Sequence, residues 1–194
     1  MKIKSITVFL LILSFSLNIS CAHISAVLNY EDPLTAEEHN NLGVAYEKEE
    51  KYKLAVKEYK LASKKDEALV TPLINIGNVY FKQGKFKNAE EYYLKALKKD
   101  DNNVLAANNL GNVYLETGKD YDKGIEILIN TLPPPEIAPA YALDTLAMLY
   151  AQSGSDEKAV ELLLIACTRA EGDEEIKSEI SLHLKEMGEF ECSK

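Results

Sequence analysis

Cysteine and histidine are the residues of this chain with the widest chemistry, and both are scarce. Three of each are present: Cys21, Cys167, Cys192, His23, His39 and His183. Structural zinc sites group four such ligands at short, regular spacings, and these residues do not follow that pattern. Paired acids such as Glu90-Glu91 are typical of solvated helix faces, and no glycine-rich phosphate loop occurs. The sequence therefore predicts no catalytic residue, no metal site and no cofactor.

Cys21 follows a largely apolar run of 12 residues, Ile6 to Leu17, after a short basic start. Such a run is too short to span a bilayer comfortably and is typical of the core of a signal peptide. With Ser20 before it, Cys21 resembles the lipobox of bacterial lipoproteins, in which the signal is cut before the cysteine and the thiol is acylated. Asn18 departs from that pattern, which usually has leucine there. The alternatives are ordinary secretion with cleavage near Ala22 and a retained membrane anchor.

The other two cysteines admit two interpretations. Cys167 ends an apolar helical run, Val160 to Cys167, which favours a small buried side chain. If Cys21 carries lipid, however, Cys167 and Cys192 could pair in an oxidising compartment. The sequence leaves both interpretations open.

The elements that carry these residues repeat along the chain. Gly43, Gly77 and Gly111 are each 34 residues apart, and Ala147 follows 36 residues later. A leucine or isoleucine precedes each of them, and a tyrosine follows three residues after each. A fixed period of this length predicts paired helices, in which each pair buries its apolar face against the next.

In the second unit, a turn at Gly84 separates two predicted helices. Gly77 and Ala89 are both small, so we expect them to face each other and to let the two backbones approach closely. Tyr80 and Tyr93 are expected to fill the wider ends of the hairpin. The recurring Leu-Gly-x-x-Tyr pattern is then explained by one helix–helix contact that every unit makes.

The 34-residue period and the order Leu-Gly, Tyr, Gly, Ala, aromatic, Ala resemble the tetratricopeptide repeat family over roughly 35–170. The resemblance implies an all-α fold, a right-handed α-solenoid of about four helix-turn-helix repeats. The family's early tryptophan is absent, and Asp120 is an extra residue in the third unit. We expect repeats at about 36–69, 70–103, 104–139 and 140–172, an amphipathic capping helix at 173–188 and a tail at 189–194, after a signal peptide at 1–20 and a tether at 21–34.

Asparagine recurs on the side of each first helix that lies opposite the glycine. At 100° per residue, Asn75, Asn78 and Lys82 share that side in the second unit. In the tetratricopeptide family this side lines the concave groove, so the resemblance implies a peptide groove formed by Asn41, Asn75, Asn78, Lys82, Asn109, Asn112, Tyr141 and Thr145. An amide offers a donor and an acceptor together, which matches a peptide backbone. The alternative is that the asparagines only cap or bridge neighbouring helices, and Thr145 is expected to break the series.

The net charge of -9 is unevenly distributed. Residues 22–100 carry equal numbers of basic and acidic side chains, whereas residues 101–194 carry a net charge of -11. A nucleic-acid partner is not expected, because phosphate binding needs a basic surface. The acidic half is interpreted as a solubility feature or, alternatively, as a docking face for a basic partner.

These features predict a non-enzymatic protein-interaction scaffold, without a small-molecule substrate, that is held at the membrane by a lipid on Cys21. Short tetratricopeptide lipoproteins of this layout resemble the pilotins of type IV pili and secretins, which implies secretin or pilus assembly subunits as partners. They also resemble outer-membrane scaffolds that gather peptidoglycan hydrolases, and a self-associating structural repeat is a third alternative. Ala22 after the cysteine, rather than aspartate, implies the outer membrane, facing the periplasm. Secretion to the periplasm is the alternative location.

Overall fold

The computed structural model describes residues 32–188 and Cys192. The predicted signal peptide, Cys21 and the predicted tether up to residue 31 lie outside the described residues, as does the predicted tail apart from Cys192. The chain separates into two compact units, 1–34 and 35–194. The second unit holds all of the described helices.

The described residues form α-helices joined by short turns, and no strand occurs among them. The helices of this part of the chain are α1 Ala36–Lys48, α2 Tyr52–Lys65, α3 Thr71–Lys82, α4 Phe86–Lys99, α5 Val104–Thr117, α6 Tyr121–Thr131, α7 Ala140–Gln152, α8 Asp156–Arg169 and α9 Glu174–Glu186. The first eight pair in chain order into four hairpins, and each hairpin packs against the next. This arrangement confirms the predicted all-α solenoid of about four helix-turn-helix repeats. None of these helices combines the length and the apolar character that crossing a bilayer requires.

Helix α9 covers one end of the array by packing against α8 and α7. Ile180 and Leu184 are fully buried in this contact, in the same cluster as Leu163 of α8. Because the open end of a solenoid leaves an apolar face in water, a helix in this position removes that face from solvent. Helix α9 is the capping helix that the sequence predicts.

The helix ends follow local sequence signals. The Thr35 hydroxyl accepts a hydrogen bond from the Glu38 N–H, and the Glu38 carboxylate accepts one from the Thr35 N–H, which caps α1. Gly84 has a φ of 67° in the turn after α3, a left-handed conformation that glycine adopts without strain. Glu50 takes the same place in the first repeat with a φ of 57°, although a residue with a Cβ atom is strained there. The packing of the repeat, and not glycine alone, therefore fixes this turn.

A tyrosine ring fills the space beside the recurring glycine in the first two repeats. Tyr59 and Tyr93 are 0% and 1% exposed. A Cβ atom built on Gly77 would lie 2.7 Å from Cδ1 of Tyr93 and 2.9 Å from its Cζ, and Gly43 faces Tyr59 in the same way. The side chain nearest to Gly77 is therefore Tyr93, which the sequence predicts at the wider end of the hairpin, and the contact of Gly77 with Ala89 stays a prediction. Side chains lean toward the N-terminus of their helix, so the Tyr93 ring, one turn beyond Ala89, reaches back over the glycine.

The third repeat keeps the glycine and changes its neighbour. Leu128 stands where the first two repeats have tyrosine. A Cβ atom on Gly111 would lie 3.2 Å from Cδ1 of Leu128 and 2.9 Å from Cγ2 of Thr145, which belongs to the next repeat. Because leucine is smaller than tyrosine, Leu128 leaves room beside Gly111, and Thr145 of the following repeat fills that room.

Cys167 of α8 and Cys192 form a disulfide, with their Cα atoms 5.6 Å apart. The Cys192 N–H also donates a hydrogen bond to Ser181 Oγ of α9, at 3.2 Å. The pairing that the sequence left open is therefore present, and the interpretation of Cys167 as only a small buried side chain is wrong. The bond closes a loop that contains α9, so it ties the capping helix to the last repeat.

Candidate functional site

The inner face of the array is formed by α1, α3, α5 and α7, the first helix of each hairpin. Polar side chains form a hydrogen bond across each gap between neighbouring first helices. The bridges are Asn75 Nδ2 to Asn40 Oδ1 at 3.0 Å, Asn109 Nδ2 to Asn78 Oδ1 at 2.9 Å, and Thr145 Oγ1 to Asn112 Oδ1 at 3.3 Å. The recurring asparagines therefore join adjacent repeats, as the bridging alternative states.

The bridges differ from the predicted ladder in two details. Asn40, and not the exposed Asn41, is the acceptor in the first gap, because Val44 stands where the third repeat has Asn112. The Thr145 hydroxyl continues the series in the fourth repeat. The single hydroxyl hydrogen is shared, however, because Thr145 Oγ1 also lies 3.1 Å from the Tyr141 carbonyl oxygen, so this bridge is weaker than the two asparagine bridges.

Asn78 also holds the core tyrosine of its own repeat. The Tyr93 hydroxyl donates to Asn78 Oδ1 at 2.8 Å, so one amide oxygen accepts hydrogen bonds from both Tyr93 and Asn109. Burial raises the pKa of the Tyr93 phenol well above its ordinary value, which keeps the donor protonated. Asn78 is therefore a structural junction as well as a predicted groove residue.

Lys82 is likewise engaged in the structure. Its Nζ lies 2.6 Å from Glu47 Oε1 of α1, and Glu47 Oε2 accepts a hydrogen bond from the Tyr59 hydroxyl at 2.8 Å. Because Lys82 is exposed, this ion pair contributes only ~0–1 kcal/mol. The ion pair crosses the same gap as the first asparagine bridge.

Two adjoining hollows lie on the inner face. The middle hollow has a volume of about 330 Å³ and is lined by Asn78, Phe81, Lys82, Tyr93, Leu105, Asn109 and Asn112. The end hollow has a volume of about 650 Å³ and is lined by residues of α3, α5, α7 and α9, which include Phe81, Asn108, Asn112, Tyr141, Asp144, Thr145, Glu179 and His183. Phe81 and Asn112 line both hollows. Six of the eight predicted groove residues therefore meet here, whereas Asn41 and Asn75 line neither hollow, and the groove role of all eight stays a prediction.

The end hollow contains a cluster that the sequence analysis missed. His183 Nδ1 lies 2.7 Å from Asp144 Oδ1. One ligand atom from each of Asp144, Glu179 and His183 lies within 4.8 Å of the others. Glu179 and His183 are four residues apart and so share one face of α9, a spacing that is visible in the sequence. Asp144 joins them only because α9 packs against α7.

The end hollow is rich in acceptors and acidic groups. The hydrogen bond to Asp144 raises the pKa of His183 above its ordinary value, and burial opposes this increase. Charge interactions with Asp144, Glu179 and Glu186 raise the pKa further. Glu116 of α5 also lines the hollow. This environment favours a ligand that is cationic or donates hydrogen bonds.

Asn78→Ala is expected to lower the free energy of unfolding by about 1–3 kcal/mol, because the Tyr93 hydroxyl and the Asn109 amide both lose their acceptor. Urea unfolding followed by circular dichroism measures this change. The matched control is Asn41→Ala, which removes an exposed amide and should shift stability by less than ~0.5 kcal/mol. Equal effects of the two substitutions would mean that the asparagine bridge does not stabilise the array.

Models of the tetratricopeptide repeat family match this chain over three segments, residues 39–67, 71–103 and 92–126. The matches span the first two hairpins and continue into α6. None of the curated protein sequences is similar to this chain.

Several solved structures are similar in fold. MamA from Desulfovibrio magneticus RS-1 (residues 41 to the end) is 18% identical, with a TM-score of 0.63 over 79% of this chain and 85% of that chain. The pilF protein of Pseudomonas aeruginosa is 20% identical, with a TM-score of 0.65 over 78% of this chain and 68% of that chain. A further crystal structure of MamA is 22% identical, with a TM-score of 0.60 over 75% of this chain and 84% of that chain. At these identities the likeness shows the fold alone.

The repeat spacing, the stacked hairpins and the family matches agree on the same part of the chain. The 34-residue period of Gly43, Gly77 and Gly111 falls within the matched segments. Each of these glycines lies in the first helix of a hairpin, against the second helix of the same hairpin. The matched segments, residues 39–67 and 71–126, are therefore tetratricopeptide repeats.

Proposed function

We propose that the inner face binds an extended segment of a partner protein. Tetratricopeptide repeat proteins are typically scaffolds without enzymatic activity, and solenoids bind partners on such extended surfaces. The observation that carries the proposal is the pair of adjoining hollows across α3, α5 and α7. These hollows offer apolar side chains and amides side by side, which is what a peptide segment requires.

The exposed apolar side chains in the hollows supply the affinity. Leu105 is 48% exposed and Tyr141 is 37% exposed. A partner that covers them gains about 25 cal/mol for each Å² of apolar surface removed from water. The Asn109 amide holds the backbone of the segment, because its Nδ2 has two hydrogens and the bridge to Asn78 uses one of them. Such a surface binds extended segments with modest sequence preference.

Leu105→Lys and Tyr141→Lys are each expected to weaken partner binding by about tenfold or more, since ~1.4 kcal/mol corresponds to tenfold. The melting temperature should change little, because both side chains lie at the surface. The partner is obtained by affinity purification from membranes with Cys21 intact. Its Kd for each variant is then measured by calorimetry with purified components.

The matched control is Leu164→Lys. Leu164 is 52% exposed, like Leu105, but it lies on α8, outside the inner face. This substitution should leave the Kd unchanged. Loss of binding in Leu164→Lys together with full binding in Leu105→Lys would refute the proposal and move the site to the second helices of the repeats.

We further infer that the protein is anchored in the cell envelope by acylation of Cys21 and faces the periplasm from the outer membrane. The apolar run that ends four residues before Cys21 supports this location. The Cys167–Cys192 disulfide supports it too, because such bonds persist in oxidising compartments. The proposed process is assembly of a pilus or secretin, and the support for it is the resemblance to pilotins.

Mass spectrometry of the membrane-bound protein tests the anchor. Acyl groups should be present on an N-terminal Cys21, and Cys21→Ser should release the protein or leave an uncut precursor. If the protein is unacylated and lies outside the membrane fraction, the proposed anchor is wrong and secretion to the periplasm is the explanation instead. The identity of the captured partner tests the process: a secretin subunit or pilin supports assembly, whereas a murein hydrolase or a second copy of this chain contradicts it.

A further inference from the structure

We propose that the end hollow binds a divalent transition-metal ion of the zinc class through Asp144, Glu179 and His183. This inference goes beyond the proposed peptide binding and does not depend on it. An imidazole nitrogen and two carboxylate oxygens are donors that zinc-class ions accept. With three protein ligands, a four-coordinate ion keeps one position for water or another ligand.

The geometry of the three side chains suits a shared ion. The 2.7 Å between His183 Nδ1 and Asp144 Oδ1 is a hydrogen bond in the structure, so an ion ~2.0–2.2 Å from both atoms would replace the shared proton and move the two donors apart. The ligand atoms of all three lie within 4.8 Å of one another. Glu179 is exposed, so its carboxylate can close the remaining distance by rotating without disturbing the core.

A fourth residue gives independent evidence for a ligand in this hollow. Asn108 lines the hollow and is only 7% exposed, and its Oδ1 is buried without a hydrogen-bond partner. Buried acceptors of this kind are rare because leaving them unpaired is costly. Asn108 and Asp144 hold equivalent positions in successive repeats. Because Oδ1 has almost no accessible surface, a ligand in the hollow would meet this acceptor only after the Asn108 amide turns toward it.

Asp144 is 8% exposed and is already paired with His183, so its burial alone does not require an ion. His39 and Glu58 form a comparable buried pair at the other end of the array, at 2.8 Å. Among the residues that the structure describes, however, only the pair of Asp144 and His183 has a third potential metal ligand beside it, which is Glu179. His39 and Glu58 lie on α1 and α2, outside the end hollow, so His39→Gln serves as a control.

Calorimetric titration of the full chain with zinc chloride tests the site. The Cys21→Ser background removes a thiol that could bind zinc elsewhere. One ion per chain is expected to bind, and cobalt in its place should give visible absorption bands. Glu179→Gln and His183→Gln should each weaken zinc binding by about 10- to 100-fold or more, and zinc should no longer raise the melting temperature.

Two matched substitutions serve as controls. Glu161→Gln removes an exposed acid on α8, outside the hollow, and His39→Gln removes a histidine from the other pair. Both should bind zinc as the parent does. Glu179 is exposed, so its variant should fold, and circular dichroism verifies this. The proposal is overturned if the parent binds no stoichiometric zinc, or if folded Glu179→Gln and His183→Gln keep the parent affinity.

Discussion

Gly77→Leu is expected to lower the free energy of unfolding by about 3 kcal/mol or more, at the upper end of the usual range for overpacking. Even the first added carbon would lie 2.7 Å from Cδ1 of the Tyr93 ring. The ring cannot withdraw easily, because it is 1% exposed and its hydroxyl is bound to Asn78. For a protein of this size the melting temperature should fall by roughly 6–12 °C, which thermal unfolding followed by circular dichroism measures.

The third repeat suggests a compensating change. Leu128 stands there at the tyrosine position, and a Cβ atom on Gly111 would lie 3.2 Å from Leu128, farther than the 2.7 Å from Gly77 to Cδ1 of Tyr93. In the Tyr93→Leu background, Gly77→Ala should therefore lower the free energy of unfolding clearly less than it does in the parent. A double-mutant cycle measures this coupling between the two positions. The same cost in both backgrounds, or an unchanged melting curve for Gly77→Leu, would remove the Tyr93 ring as the reason for the recurring glycine.

The sequence predicts the repeat architecture well because the same contact must be made in every unit. The period places Gly77 toward its partner helix and identifies the four hairpins, and the amphipathic pattern of residues 173–188 identifies the capping helix. It does not fix the level along the helix axis at which two side chains meet. Ala89 and Tyr93 lie on the same face of α4, one turn apart, and only the packed hairpin shows that the Tyr93 ring meets the glycine.

The candidate site is less predictable because it depends on how separate repeats are placed. A helical wheel correctly puts Asn78 and Asn109 on the inner side of their helices. It cannot show that the rise between repeats brings Asn109 within 2.9 Å of Asn78. Likewise, Glu179 and His183 are spaced for one helix face, but nothing in the sequence states that α9 folds back toward Asp144.

Removal of the Cys167–Cys192 disulfide is expected to lower the free energy of unfolding by about 2–4 kcal/mol. The two cysteines are 25 residues apart, and closing a loop of that length gives about 3.5 kcal/mol in the chain-entropy description. The melting temperature of Cys192→Ala should therefore fall by roughly 7–14 °C. Because the loop contains α9, amide hydrogen exchange should accelerate most in that helix.

The comparison is made in the Cys21→Ser background, so that the freed thiol of Cys167 has no other cysteine to pair with. In this background Cys167→Ala and Cys192→Ala should destabilise equally, and the double variant should add nothing, because each single change already breaks the same bond. A reducing agent should lower the melting temperature of the parent to that of the variants. Melting curves and α9 exchange rates that match the parent would show instead that burial of Ile180 and Leu184 holds the capping helix without the disulfide.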